Sequence, residues 1–353
     1  MKPQVDSRLF GELANGEPVM EFTLDNGRGM LLSVLDYGCI IRSWRTLRRD
    51  GAPVDFVLGF DSLHEYERDT AYFGALVGRF ANRIAGAQLE RGGRRYQLTR
   101  NEGGNHLHGG RRGFHKHCWQ AHASADDEAA RVTLCRLSRD MEEGYPGNLL
   151  VMVTYALTVT GELQCRYQAC TDQPTPVSIS QHSYFNLAGE GDILGHELTI
   201  GAGYYLPIGP GLLPNGERVA VAGGPFDFRR ARRIGDGLAL PDPQLALARG
   251  YDHNFVLEPG PGPQASLADP VSGRRMEIFT DAPGLQFYSG NYLDGSLGGK
   301  GRDFTRYAGL CLEPQHFPDA PNQPHFPDAI CRPGTPYSAT TRYVIDKWRP
   351  TWN

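Results

Sequence analysis

Short runs of Val, Ile, Leu, Tyr and Phe, each cut off within a few residues by Gly, Pro, Asn or Asp, recur through almost the whole chain. With 44 Gly and 25 Pro in 353 residues, long helices have little room. Gly and Pro end helices, whereas turns between short strands need them. Strands are expected over 30–34, 54–58, 131–137, 149–160, 163–169, 198–202, 254–257, 276–280 and 285–288. Thr160-Gly161 joins two of these runs across a gap short enough for a hairpin. A turn or two of helix fits at 62–67 and 232–238. Many short strands with turn residues between them imply an all-β fold, a sandwich or barrel with few short helices. Residues 258–268 come nearest to a flexible break, yet strand patterns resume on both sides. One continuous domain over 1–353 is the simpler reading.

A hydrophobic content of 40% supplies a large core, while the net charge of -4 is small and its signs are interspersed. Basic runs stop at pairs such as Arg94-Arg95 and Arg229-Arg230. Neither a nucleic acid nor an anionic membrane is therefore an expected partner, and a small neutral polar ligand fits better. The seven cysteines are odd in number and contain no Cys-x-x-Cys pair, a pattern of reduced thiols in the cytoplasm. Met1 to Leu13 lacks the apolar core of a signal peptide, and no stretch reaches the ~20 apolar residues of a membrane helix. With no apolar stripe reserved for a partner, a monomer is expected, with a dimer as the alternative.

Five clusters carry chemistry. Glu313 follows the apolar run Tyr307 to Leu312 and precedes a proline-punctuated loop, a rigid setting for an acid or base; the bland alternative is a sheet-edge Glu facing water. In Gly78-Arg79-Phe80-Ala81-Asn82-Arg83-Ile84, Arg83 reads equally as a forked donor to sugar oxygens or as an ion-pair partner. His106-Leu107-His108-Gly109-Gly110 would project both imidazoles to one face of a strand, so a metal site has to be weighed, as it does for His115 and His117. Without a carboxylate array, glycines that make room for a ligand are the simpler reading. In Ser178 to Leu187, alternation puts His182, Tyr184 and Asn186 on one face; a lone His there is commonly a satisfied core residue. Asp252 and Gln286 are short polar groups at strand ends, suited to gripping hydroxyls, with Tyr and Phe nearby for a pyranose face.

The order of these clusters is more specific than any one of them. Ala81-Asn82-Arg83, Leu107-His108-Gly109-Gly110, His182 to Leu187, Asp252-His253-Asn254-Phe255, Gln286-Phe287-Tyr288 with Gly290-Asn291, and Leu312-Glu313 through Asn322 closely resemble the aldose 1-epimerases, or galactose mutarotases. The resemblance runs from about Phe22 to Val344 and takes in Glu143-Gly144-Tyr145-Pro146-Gly147-Asn148-Leu149. It implies a large antiparallel β-sandwich with an open cleft, acting on free monosaccharides without a cofactor or a metal. It also implies that Glu313 is the general base, that His182 is the general acid, and that His108 is a second imidazole near the ring and anomeric oxygens. Asn82, Arg83, Asp252 and Gln286 match sugar-binding positions, while His106 falls where the motif is not fixed. Pro314 and Met141 sit at variable places.

Anomer exchange needs one group to take the C1 hydroxyl proton and another to protonate the ring oxygen, so that the ring opens to the aldehyde and recloses after rotation about C1–C2. An imidazolium at His182 would require that burial not depress its pKa. Alternatives are a sugar-phosphate epimerase using Arg79, Arg83, Arg111 and Arg112, a non-catalytic carbohydrate sensor, and a glycoside hydrolase built on Asp252 and Glu313. The preferred aldose is not readable, since sugars that differ by one hydroxyl are told apart by pocket geometry.

Overall fold

The computed structural model describes residues 1–47 and 51–347. The expected single domain over 1–353 therefore extends, at 348–353, outside the described residues. A nine-stranded antiparallel sheet is built in the order Gln120–Ala125, Ala129–Ser138, Leu149–Thr158, Glu162–Thr171, Tyr337–Lys347, Arg274–Thr280, Ala265–Asp269, Glu197–Ile200 and Arg232–Arg233. Its central strands alternate as a half-buried sheet must. Val151, Val153, Tyr155 and Leu157 point inward, as do Leu163, Cys165, Tyr167 and Ala169 opposite them, while Leu150 and Met152 face out. The hairpin between these two strands turns through Thr160-Gly161, with Gly161 at φ +85°.

A second sheet, ordered Tyr184–Phe185, Leu310–Gln315, Gly284–Tyr288, Asp252–Val256, Tyr204–Leu206 and Val219–Ala220, packs against the first. Phe185, Phe255, Leu285, Phe287, Leu310 and Leu312 from one of its faces join the inner face of the nine-stranded sheet in a single core, which makes the sandwich. Gly284–Tyr288 and Leu310–Gln315 are buried on both faces. Their opposite face is not part of that core. Residues directly paired across an antiparallel sheet share a face. Tyr184, Cys311, Tyr288 and Asp252 thus form one row on it, and Glu313, Gln286 and Asn254 form the next.

Glu313 consequently sits inside a strand and not at the end of one, and Gln286 is likewise mid-strand. Pro314 is accommodated opposite Leu285, beyond the two-residue strand that covers the other edge, a position that tolerates a missing amide donor. Expected strand 54–58 is shorter, Pro53–Asp55 followed by a bridge from Val57 to Phe185. Of the expected helices, Leu63–Arg68 starts with a Ser62/Glu65 capping box, and Ile234–Leu238 is a short turn. A third helix, Pro243–Ala248, was not expected. Its signal is local: Asp242 accepts hydrogen bonds from the Gln244 and Leu245 amides, and Pro243 is pre-set for the first turn.

Candidate active site

The polar face of the six-stranded sheet floors a cavity of about 350 Å³. Glu313 and Asp252 reach it from this sheet, His182 from the strand Ser180–His182, and Asn82, Arg83 and His108 from the segments around Arg83–Ile84 and His106–Leu107. His182 and Glu313, 131 positions apart in sequence, approach to 3.8 Å between Nε2 and Oε1 and are 5% and 2% exposed. The water-facing reading of Glu313 is excluded by that burial. On the other side of the His182 ring, Nδ1 lies 3.5 Å from Cys311 Sγ. The strand register explains the meeting: the chain leaves one sheet after His182, which pairs with Ala75, and enters the other at Tyr184, opposite Cys311.

His108 crosses His182 edge to face, with ring centroids 5.2 Å apart. Its Nδ1 accepts the Asn82 amide N–H at 3.1 Å, so the neutral ring carries its proton on Nε2 and presents a fixed donor. Asn82 is itself in the left-handed region, at φ 67°, and its Oδ1 accepts the Arg83 amide. Arg83 meets the ion-pair reading while still facing the cavity. It lines the cavity and is tied to Glu102 Oε1 at 2.8 Å, with Asp252 Oδ2 3.9 Å away. Gln286 lies behind this pair and donates from Nε2 to Asp252 Oδ1 at 2.8 Å. It steadies Asp252, and its buried Oε1 is left without a hydrogen-bond partner.

The aldose 1-epimerase family profile matches residues 20–344. A galactose mutarotase from Sus scrofa is 42% identical over 97% of this chain and 98% of its own length, and an aldose 1-epimerase from Escherichia coli is 38% identical over 93% and 96%. The crystal structure of a galactose 1-epimerase from Lactobacillus acidophilus superposes with a TM-score of 0.89 at 31% identity, covering 98% of this chain and 99% of that one. The chain belongs to the aldose 1-epimerase family.

In this family member, burial sets the protonation of the facing groups. It pushes the Glu313 carboxyl well above the usual range, with Asp252 adding to the rise and Arg83 opposing it. Burial also pulls His182 down to about 4, and His108 well below 6.5 with help from His182 and Arg83. The expectation of an undepressed His182 fails for this reason. At neutral pH His182 is a neutral imidazole, beside a carboxyl that burial pushes toward its protonated form.

The ligand atoms of His108, His182 and Glu313 lie within 4.8 Å of one another, close enough for a divalent metal. The donor set argues against one. Ligation through His108 Nε2 would need the proton on Nδ1, where it would oppose the Asn82 N–H. Nor do His106 and His108 share a strand face, because His108 turns away at φ 51°. His106 is a structural residue, bonded through Nδ1 to Thr99 O and through Nε2 to the Tyr145 hydroxyl, each at 2.7 Å. The glycines after His108 make room for the protein itself: a Cβ on Gly109 would lie 1.8 Å from Gly78 O, and one on Gly110 2.1 Å from Glu143 Oε2. Asn186 stays out of the cavity and is spent on the carbonyls of Glu190, Gly191 and Ala308. Sequence reasoning passed over Glu102, Cys311 and Tyr72, each recognisable only from its neighbours in space.

Proposed function

We propose that this protein interconverts the α and β anomers of free aldoses, with Glu313 as general base, His182 as general acid and His108 as a fixed donor to the ring or anomeric oxygen. The approach of Glu313 to His182 in a sugar-sized cleft is the observation that carries this reading. Burial disfavours the charged form of both groups, so in this reading the pair carries one proton between them. Moving it from the Glu313 carboxyl to His182 creates the carboxylate and imidazolium that the reaction needs, with no change in total charge. The carboxylate then takes the C1 hydroxyl proton while the imidazolium protonates the ring oxygen and the C1–O5 bond breaks. Rotation about C1–C2 and reversal of the transfers close the ring as the other anomer. Asn82, Arg83, Asp252 and Gln286 hold the sugar hydroxyls, with Gln286 also bonded to Asp252. We read the described chain as part of one domain, working as a monomer in the cytoplasm, a compartment that suits its seven free thiols.

The phosphorylated-substrate reading loses its cations. Arg79 is buried and turned onto backbone carbonyls, and among the described residues Arg83 is the one Lys or Arg lining the cavity, already faced by Glu102 and Asp252. Polarimetry of freshly dissolved α-D-glucose and α-D-galactose tests the proposal. A faster approach to an unchanged final rotation is expected, with no competition from a sugar phosphate; an unaltered rate with every free aldose would overturn it. Arg83→Lys is expected to raise KM about tenfold, because a point charge cannot hold Glu102 and Asp252 together as the planar fork does. The same assay over pH reads the shared proton. Activity falls below about 4, where His182 takes a second proton, and falls again at high pH, where Glu313 loses the shared one. An inflection at ~6.5, the ordinary imidazole value, is not expected.

A further inference from the structure

Tyr72 lines the cavity beside the two catalytic imidazoles, yet no sequence motif singles it out. Its ring lies 4.6 Å from that of His108 at 60°, 4.7 Å from His115 at 63° and 5.7 Å from His182 at 35°. One half-buried ring thus touches three histidines. Its backbone is in the left-handed region, at φ 60°, which is unfavourable for a bulky aromatic residue.

The surroundings over-determine that conformation. Buried Asp69 accepts the Ala71 amide at Oδ1, 2.7 Å, and the Phe73 amide at Oδ2, 2.8 Å, so its carboxylate spans the turn that presents Tyr72. The Lys116 ammonium donates to Asp69 O at 2.8 Å and also to Tyr66 O and Glu67 O, tying the end of the preceding helix to the same point. Tyr184, which also lines the cavity, donates its hydroxyl to Ala71 O at 2.9 Å. Beyond the turn, the Gly74 amide donates to His182 O at 3.0 Å. The turn is therefore bonded to the strand that carries the proposed acid.

We propose that Tyr72 is a positioning residue of the epimerase reaction, held in a strained turn so that its ring braces His108 and His182 against the cleft and shields them from water. This rests on the reading of the site given above. The groups that face the two imidazoles are Glu313, Cys311 and Tyr184 around His182, and Arg83, His115 and His106 around His108. Tyr72, itself half-buried, packs its ring against this group from the cavity side.

Tyr72→Phe, Tyr72→Gly and Tyr72→Asn test it together. Gly adopts the left-handed conformation without strain and Asn tolerates it, so at least one ring-less variant folds with a thermal midpoint near the parent's. Tyr72→Phe is expected to stay within about twofold of the parent kcat, and the ring-less variants to lose about tenfold or more in kcat with a smaller change in KM. Histidine NMR titration gives a readout that is independent of turnover. His108 and His182 are expected to titrate at higher pH in the ring-less variants than in Tyr72→Phe, as water reaches them, and the acid limb of the rate profile moves the same way. Unmoved histidine titrations, or a ring-less variant within twofold of the parent kcat, would overturn the proposal. A parent protein that binds sugar without anomerising it would instead defeat the epimerase reading, and the NMR comparison would still decide the bracing.

Discussion

Glu313→Gln is expected to lower kcat for anomer exchange by about 10²- to 10⁴-fold, the range a positioned acid or base contributes, and to leave sugar affinity within a few-fold. The amide cannot accept the C1 hydroxyl proton, but Arg83 and Asp252, the proposed sugar ligands, keep their places. His182→Asn is expected to cost a similar factor by removing the proton donor. The double variant should fall little below either single one, because each residue is useless without the other. Polarimetric kcat set against a calorimetric Kd separates the two effects, and near-parent turnover in both single variants would sink the assignment. Stability should move in the opposite direction from activity. A carboxyl whose pKa is raised in the folded state binds protons more tightly there, so its contribution to stability is lost as pH rises through that value. Neutral Gln escapes the loss, and Glu313→Gln should be at least as stable as the parent at neutral pH.

The same burial explains why the proposed mechanism uses two partners that exchange one proton. An isolated carboxylate or imidazolium in this setting would carry the full cost of leaving water. Sharing the proton lets the resting pair remain uncharged and confines charge separation to the moment the substrate is held. Asp252, less buried than Glu313 but also raised, is held by Arg83 and by the Gln286 amide, both of which pull its pKa back down. The hydrolase reading, which needs Asp252 free, is correspondingly weakened.

Much of this was legible in the sequence, for reasons particular to each part. The strands were, because Val151, Val153 and Tyr155 alternate with exposed or half-buried neighbours, a pattern that survives in one dimension. The family was, because its motifs are short local signatures that stand in order along the chain. What did not show was anything set by sheet register. Glu313 looked like a strand end because Pro314 follows it, and only the pairing with Leu285 reveals that the strand continues. Gln286 looked like a strand-end residue, and only its pairing with Asn254 and Glu313 puts it mid-strand, bonded to Asp252. The His182 pKa depends on burial from all sides, and Tyr72 on a turn closed by Asp69 and Lys116. Such properties belong to the packed chain.

Arg79→Met is expected to destabilise the fold by about 3–5 kcal/mol, as breaking a buried charged network does. Arg79 is 2% exposed and its guanidinium is spent entirely within the protein. Nε donates to Ser138 Oγ at 2.8 Å, one terminal nitrogen to Pro146 O and Gly147 O at 3.1 and 2.9 Å, and the other to Ser138 O and Arg139 O at 3.0 and 2.7 Å. Burial lowers its pKa only to about 10, with Glu142 opposing the fall, so the charge is retained at neutral pH. Met replaces the aliphatic stem but leaves those acceptors without a donor, at about 1–3 kcal/mol for each that water cannot reach. Arg79→Lys should recover only part of the loss, since one ammonium cannot reach both ends of the 138–147 segment. That segment also explains why the damage would reach the site. Glu143 accepts the Arg111 and Arg112 amides at 3.2 and 2.9 Å, and Tyr145 bonds His106. His108 lies between those anchors, so loosening them releases the fixed donor. Urea denaturation should show the lowered midpoint in both variants, and kcat measured well below that midpoint should fall further in Arg79→Met than in Arg79→Lys. Parent-like stability in Arg79→Met would mean that the carbonyls are satisfied by water, and that the segment around Glu143 to Leu149 is held by its own turns.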